Sequence, residues 1–327
     1  MKRLAVLGSC APVFMLRYWM TFLPHWIDEV DEVVLNLQQI PIDHKAYLVK
    51  AAKEYKKLTV IAEPKNPWPQ SISDGITASK ADTVLILHDD TFIFKKGVVD
   101  EFFTLAEKGN VVTPMHGIYS PTDYVNDVLK EMYPEYLKNL KDYSFLLYFL
   151  FMPRKFFMAT SGYLGGSGWK KDEWVELLGR KIEQDVAGDT GFKLALELFL
   201  NQAPFKPIPR QTTAEIQFAQ DPLKELKEVH YDGWVHLQNM ANTLPAWFDG
   251  SHGWRNIENK KDPIMKAFIS LRLGLIQEFL DVDDYEEIEN DAISAELEIA
   301  DIKKAFNLDP DVINEYQKEI RRILCVA

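Results

Sequence analysis

Along the first third of this chain, short apolar runs alternate with segments whose apolar residues recur at helical spacing. Residues 83–87 (Thr-Val-Leu-Ile-Leu) are apolar or β-branched throughout, with charged residues before them and acids after, the pattern of a strand buried on both faces. Similar runs at 3–7, 32–37 and 58–62 predict three more strands, and the segments 12–23, 44–57 and 70–80 between them predict helices. Strands alternating with helices imply a mostly parallel sheet with right-handed crossovers, so the fold class is α/β. Farther on, 97–107 reads as an amphipathic helix, 110–114 as a strand, 123–132 as a short helix and 205–209 as a strand region. From residue 262 the texture changes: 263–280, 286–306 and 310–324 read as helices with polar breaks between them, a helical C-terminal appendage that packs on the preceding domain or builds a homo-oligomer.

The apolar run at 83–87 stops abruptly at His88-Asp89-Asp90. Carboxylates at the C-terminal end of a strand lie at the sheet edge where α/β proteins bind ligands. Two adjacent carboxylates repel, so such a pair accepts hydrogen bonds from a loop or holds a hard cation. A solvated turn is the plainer reading of a bare Asp-Asp pair.

Asn66, the run Ser71-Ile-Ser-Asp-Gly-Ile-Thr-Ala-Ser-Lys-Ala-Asp and the following VLILHDDTF resemble, in order and spacing, the donor half of the GT-A glycosyltransferases, particularly the large inverting family with many bacterial sugar transferases. The resemblance runs from residue 3 to residue 236. It implies a GT-A (Rossmann-like) catalytic domain over 1–260, with a donor half at 1–114 and an acceptor half at 115–260, followed by the helical extension 261–327. It also implies transfer of a sugar, with inversion, from a nucleotide-diphosphate sugar to an acceptor hydroxyl, assisted by Mn²⁺ or Mg²⁺. The family's strand ends in Asp-any-Asp; here a His stands at the first position, and Asp90 matches the residue that usually binds the metal. Asp89 joins the donor site, and His236, in Trp-Val-His-Leu-Gln, is the preferred completing ligand, with His230 and then His252 behind it. Ser9 and Ala11 fall near the nucleotide base, and Gln38 falls where relatives carry an Asp that reads it. Lys65, on a proline-rich loop, could pair with the diphosphate or be a solvated surface residue. Asn66 lies beside it, and Asp74 stands where relatives often have Asn.

The stretch FMATSGYLGGSGW at 157–169 contains four glycines and two serines, the composition of a loop whose backbone approaches a ligand closely. By resemblance it precedes a helix beginning near Lys171-Asp172-Glu173-Trp174, and Gly166 and Trp169 are the acceptor-binding candidates. Trp169 could equally be core. Asp189 precedes a helical pattern at Phe192, Leu194, Ala195, Leu196, Leu198 and Phe199 and reads at first as an N-cap, worth about 1 kcal/mol. The resemblance gives it a second role, general base on the acceptor hydroxyl, although Gly188 replaces the family's usual Glu; Asp185 is the alternative.

Composition narrows the partners. With 49 acids against 37 lysines and arginines the formal net charge is −12, which argues against nucleic acid while leaving a modified DNA base open as acceptor. A nucleotide diphosphate bridged by a cation suits an acidic protein. Glycans, lipid-linked acceptors and other hydroxyl compounds all remain open. Two cysteines, Cys10 and Cys325, imply no disulfide framework and a reducing cytoplasm. The run before Cys10 is too short for a signal segment, and no apolar run approaches the ~20 residues of a membrane span. The apolar segment 145–152 reads as buried core or subunit contact, with peripheral membrane docking as the alternative. Two other readings stand: a catalytically silent interaction module of the same fold, and a sugar-phosphate nucleotidyltransferase, which lacks its Gly-rich basic loop here.

Overall fold

A computed structural model describes residues 1–9, 13–37, 49–50, 52–61, 64–66, 69–88, 91–93, 95–114, 123–137, 149–162, 164–165, 168–186, 191–208, 234–236, 261, 263, 266, 270, 273–274 and 300–325. These fall into two compact units: one of residues 1–10, 27–88 and 99–210, the other of residues 11–26, 89–98 and 211–327.

The first unit is built on a seven-stranded sheet. Its strands are β1 (Arg3–Ser9), β2 (Glu32–Leu37), β3 (Leu58–Ile61), β4 (Thr83–His88), β6 (Val111–Pro114), β7 (Phe149–Pro153) and β10 (Phe205–Ile208), in the order β10-β6-β7-β4-β1-β2-β3. All run parallel except β7, which is antiparallel to both β4 and β6. The mostly parallel α/β class expected from the alternation is therefore the observed one. Central strands are apolar without alternation because both faces are covered: Leu4, Val6, Val84, Leu85, Ile86 and Leu87 are all essentially inaccessible.

Helix α2 (Gln70–Ala78) packs on β1 and β2, where Gly75 lets its backbone come close: a Cβ there would lie 3.3 Å from Val6 Cγ1. The segment read as apolar core or subunit contact resolves, over its described part, as β7. Phe149, Leu150, Phe151 and Met152 are wholly buried inside the sheet, and the rings of Phe149 and Phe151 interlock with Phe102 of α3 (Val98–Glu107). These residues offer nothing to a membrane.

At the opposite end of the strands, Arg3 reaches Glu107 through Nε at 2.8 Å, pairs with Asp100, and lies over the Phe103 ring at 5.2 Å. Hydrogen bonding to Glu107, partly offset by burial, holds its guanidinium more firmly protonated than usual.

Two expectations change. The helix placed over 44–57 is helical at 49, 50 and 52, but Tyr55 N donates to Ala52 O in a turn that leads into β3, so it ends earlier. No helix begins at Lys171–Trp174. Trp169 and Val186 pair backbone to backbone, and β8 (Trp174–Val175) pairs with β9 (Arg180–Lys181), giving a hairpin over 169–186. Asp172 takes φ 67° and Gly179 φ 60°, left-handed turns that a continuing helix would not allow.

In the second unit, α1 (Val13–Trp26) packs on β5 (Thr91–Ile93) through an edge-to-face contact of Phe22 with Phe92 at 5.8 Å. β5 pairs antiparallel with β11 (Trp234–His236). Residues 300–306 are helical, and helix α8 (Pro310–Cys325) follows; its backbone closes on Gly274, where an added Cβ would lie 3.0 Å from Gln317 N. Among the described residues, no helix is long and apolar enough to cross a membrane.

Candidate functional site

The strand order reverses at β1. From β1 the chain steps outward to β2 and β3, then returns to lay β4 on the other side. Such a switch opens a crevice beyond the carboxyl ends of the two strands, because the connections leave in opposite directions. In register, Gly8 of β1 stands between Asn36 of β2 and His88 of β4, and Ser9 pairs with Leu37. The C-terminal edge therefore sets Gly8, Asn36 and His88 level, with Ser9 next along β1, and the chain runs from His88 straight into Asp89 and Asp90. Ser9 is thus at the switch point by its backbone. Gln38 follows the last residue of β2, and Gln38, Ala11, Asp89 and Asp90 lie outside the described residues.

Around this edge the sequence candidates on α2 and the preceding loop come together. Asn66 Nδ2 donates to Asp74 Oδ2 at 2.7 Å, tying the loop after β3 to the middle of α2. Lys65, beside Asn66, is exposed. Two residues that the sequence reading did not single out as site candidates belong here. Asn36, 1% exposed, donates Nδ2 to Ser71 O at 3.4 Å, locking the end of β2 to the first turn of α2. Ser71 is itself buried, and its hydroxyl has no hydrogen-bond partner among the described residues, a cost that a packed core ordinarily avoids. The available signal was an amide next to the end of a strand that is apolar after its first residue, Glu-Val-Val-Leu-Asn-Leu.

Strand pairing fixes what stands opposite Thr91, the residue after the acidic pair in the chain. In the β5–β11 ladder, His236 stands opposite Thr91, the residue that follows Asp90 in the chain. Residues directly opposite on antiparallel strands have Cβ atoms about 5 Å apart, so the ladder carries the His236 backbone to within one residue of Asp90 along the chain. Carboxylates with an imidazole are residue types that suit Mn²⁺, and the carboxylate part suits Mg²⁺. Among the described residues no three His, Cys, Asp or Glu side chains form a metal-holding group; Asp89, Asp90 and the His236 side chain lie outside them. His230 and His252 do as well.

Helix α7 (Phe192–Leu200) has Gly191 as its N-cap, at φ 83° and with no side-chain cap bond. The capping role first read for Asp189 therefore belongs to Gly191; Asp189 itself, like Gly166 and Tyr163, lies outside the described residues. Trp169 is half-buried, with its ring edge-to-face against Phe192 at 5.2 Å. Asp185, the alternative base, is exposed on the hairpin, where it accepts from Lys171 N at 2.8 Å and from Lys170 Nζ at 3.3 Å. Those bonds, the backbone one first, hold its carboxyl below the usual range.

No protein-family model matches the chain, and no curated protein matches it. Solved structures do. A mycobacterial protein is 14% identical over 70% of this chain and 74% of its own, with a TM-score of 0.41. Glucosyl-3-phosphoglycerate synthase from Mycobacterium tuberculosis, in complex with phosphoglyceric acid, is 12% identical over 70% of this chain and 79% of its own, with a TM-score of 0.40. The same enzyme in complex with Mn²⁺, UDP-glucose and phosphoglyceric acid is 12% identical over 70% and 79%, at a TM-score of 0.39.

Proposed function

We propose that the protein is a metal-dependent GT-A glycosyltransferase that moves a sugar, with inversion, from a nucleotide-diphosphate sugar to an acceptor hydroxyl. The observation that carries this reading is the switch point between β1 and β4, with β4 ending at His88 and leading directly into Asp89-Asp90. A carboxylate pair at that position meets a diphosphate only through a cation, since like charges otherwise repel.

In this reading Ser9, Ala11 and Gln38 line the nucleotide, Asn66 and Asp74 shape the donor pocket, and Lys65 pairs with the diphosphate. Asp90, with Asp89 and His236, would hold Mn²⁺ or Mg²⁺, which when bound supplies charge neutralisation at the departing diphosphate. Asp189 accepts the proton of the acceptor hydroxyl as its oxygen bonds to the anomeric carbon. The bond from that carbon to the diphosphate oxygen breaks on the opposite face, and its electron pair leaves with the nucleotide. Gly166 and Trp169 contact the acceptor, a glycan, lipid-linked sugar or other hydroxyl compound, within a cytoplasmic setting. The catalytic domain spans residues 1–260, and 261–327 form a helical extension.

Asp189→Asn tests the assignment. It removes the base while keeping the shape, so transfer should fall by about 10²–10⁴-fold with nucleotide binding preserved. Full transfer by that variant would defeat the assignment of the base.

A further inference from the structure

Glu197 is a lone acid within the apolar helix Phe-Lys-Leu-Ala-Leu-Glu-Leu-Phe-Leu, and it is 6% exposed. A leucine would serve the packing pattern of α7 as well; what the carboxylate adds is a hold on a neighbouring segment. Its Oε2 accepts from both Ser161 N at 2.7 Å and Ser161 Oγ at 3.0 Å. Two further bonds extend that hold along the helix. Asn201 Nδ2, just past the C-terminus of α7, donates to Ala159 O at 3.4 Å, and Gly191 N, at the other end, donates to Leu164 O at 2.8 Å. Residues 159–162 and 164 are thus pinned as a strap to the start, body and end of one helix, and of these three pins the middle one is made by a side-chain carboxyl.

The strap's other side meets α2. Gly162, at φ 66°, lies so close to that helix that a Cβ would come within 2.9 Å of the Ser73 hydroxyl. Ser73 is buried and adjoins Asp74, the residue that holds Asn66. Beyond the strap the chain enters the glycines at 165, 166 and 168, and α7 begins three residues after Asp189.

We infer that Glu197 is a positioning residue for nucleotide binding. Through Ser161 it presses the strap onto α2 and so sets Asp74 and Asn66, without itself touching the ligand. This rests on the donor-site reading above. When Glu197 is lost, both of its bonds to Ser161 go, and with them the hold that keeps the strap against α2.

The test is calorimetric titration with whichever of UDP, GDP, CDP or dTDP binds the wild type in Mn²⁺, repeated on Glu197→Ala, Glu197→Gln, Ser161→Ala and Leu194→Ala. Glu197→Ala should weaken Kd by about tenfold, the equivalent of one charge-assisted hydrogen bond. Ser161→Ala, which removes one of the two donors, should weaken it less. Glu197→Gln keeps an acceptor oxygen and should recover most of the affinity. Leu194→Ala, a fully buried position on the same helix, removes packing alone and should leave Kd unchanged although it lowers stability. Wild-type affinity in Glu197→Ala, or equal weakening in Leu194→Ala, would overturn the positioning role while leaving the donor site standing. Failure of the wild type to bind any of the four would remove the donor-site reading, and the positioning role with it.

Discussion

Asn66 and Asp74 are joined side chain to side chain, Nδ2 to Oδ2 at 2.7 Å. The bond closes the loop after β3 onto α2, whose first turn is itself latched to the end of β2 by Asn36 and Ser71. A loop, a strand end and a helix are thus set against one another at the carboxyl edge of the sheet. The pair is half-buried. Asp74→Ala should cost about 0.5–1.5 kcal/mol and also weaken nucleotide binding, as read by urea unfolding and by titration with a nucleoside diphosphate. Unchanged affinity alongside a full loss of stability would leave the pair a structural latch.

Of the two candidate bases, Asp185 is the one among the described residues. Asp185 is bonded to Lys171 N and Lys170 Nζ and held below its usual carboxyl range, which makes it a poor proton acceptor near neutrality. Asp185→Asn should therefore retain transfer, in contrast to Asp189→Asn. A lowered folded-state pKa contributes stability above the unfolded value, near 3.8, and that contribution is lost as pH falls through the lower folded value. Acid unfolding of Asp185→Asn should accordingly be less steep below that pH. An unaltered acid limb would contradict the cause assigned to the shift.

Gly162 is required twice, by its positive φ and by its approach to Ser73. Gly162→Ala should destabilise the protein by about 1–3 kcal/mol. Pairing it with Ser73→Ala removes the hydroxyl that the new methyl would meet, so the double variant should recover about 0.5 kcal/mol or more relative to additivity. Strict additivity in that cycle would mean that backbone strain alone explains the cost.

Much of the sheet was legible in the sequence because its central strands are buried on both faces. Thr83–Leu87, Arg3–Leu7 and Glu32–Leu37 could hardly read otherwise. β7 was harder: a run of aromatic and aliphatic residues has no periodicity to tell strand from helix, and nothing local in Phe149–Pro153 indicates that it enters antiparallel between β4 and β6. The hairpin over 169–186 was misread for a related reason. Trp-Val-Glu-Leu-Leu carries good helix formers, yet pairing with Arg180 and Lys181 and the left-handed turns at Asp172 and Gly179 override local preference. Within the candidate site, Asn66 and Asp74 were each singled out from order along the chain, but the bond between them was not. Nor was Glu197 with Ser161, because a buried carboxylate acquires meaning only from the donor that the fold brings to it. The His236–Thr91 register likewise depends on a pairing between distant segments.

The central claim is that the end of β4 is a metal-assisted nucleotide site, and a thermal-shift screen of UDP, GDP, CDP and dTDP, each with and without Mn²⁺, on the wild type and on Asp90→Ala, addresses it most directly. A ligand at ~100 times its Kd adds about 2.7 kcal/mol to the folded state, so a true donor nucleotide should raise the melting temperature by several degrees. The account predicts one nucleotide that does so only with Mn²⁺ and fails to do so in Asp90→Ala. No shift with any of the four, or an equal shift in Asp90→Ala, would contradict it and leave His88-Asp89-Asp90 a structural turn.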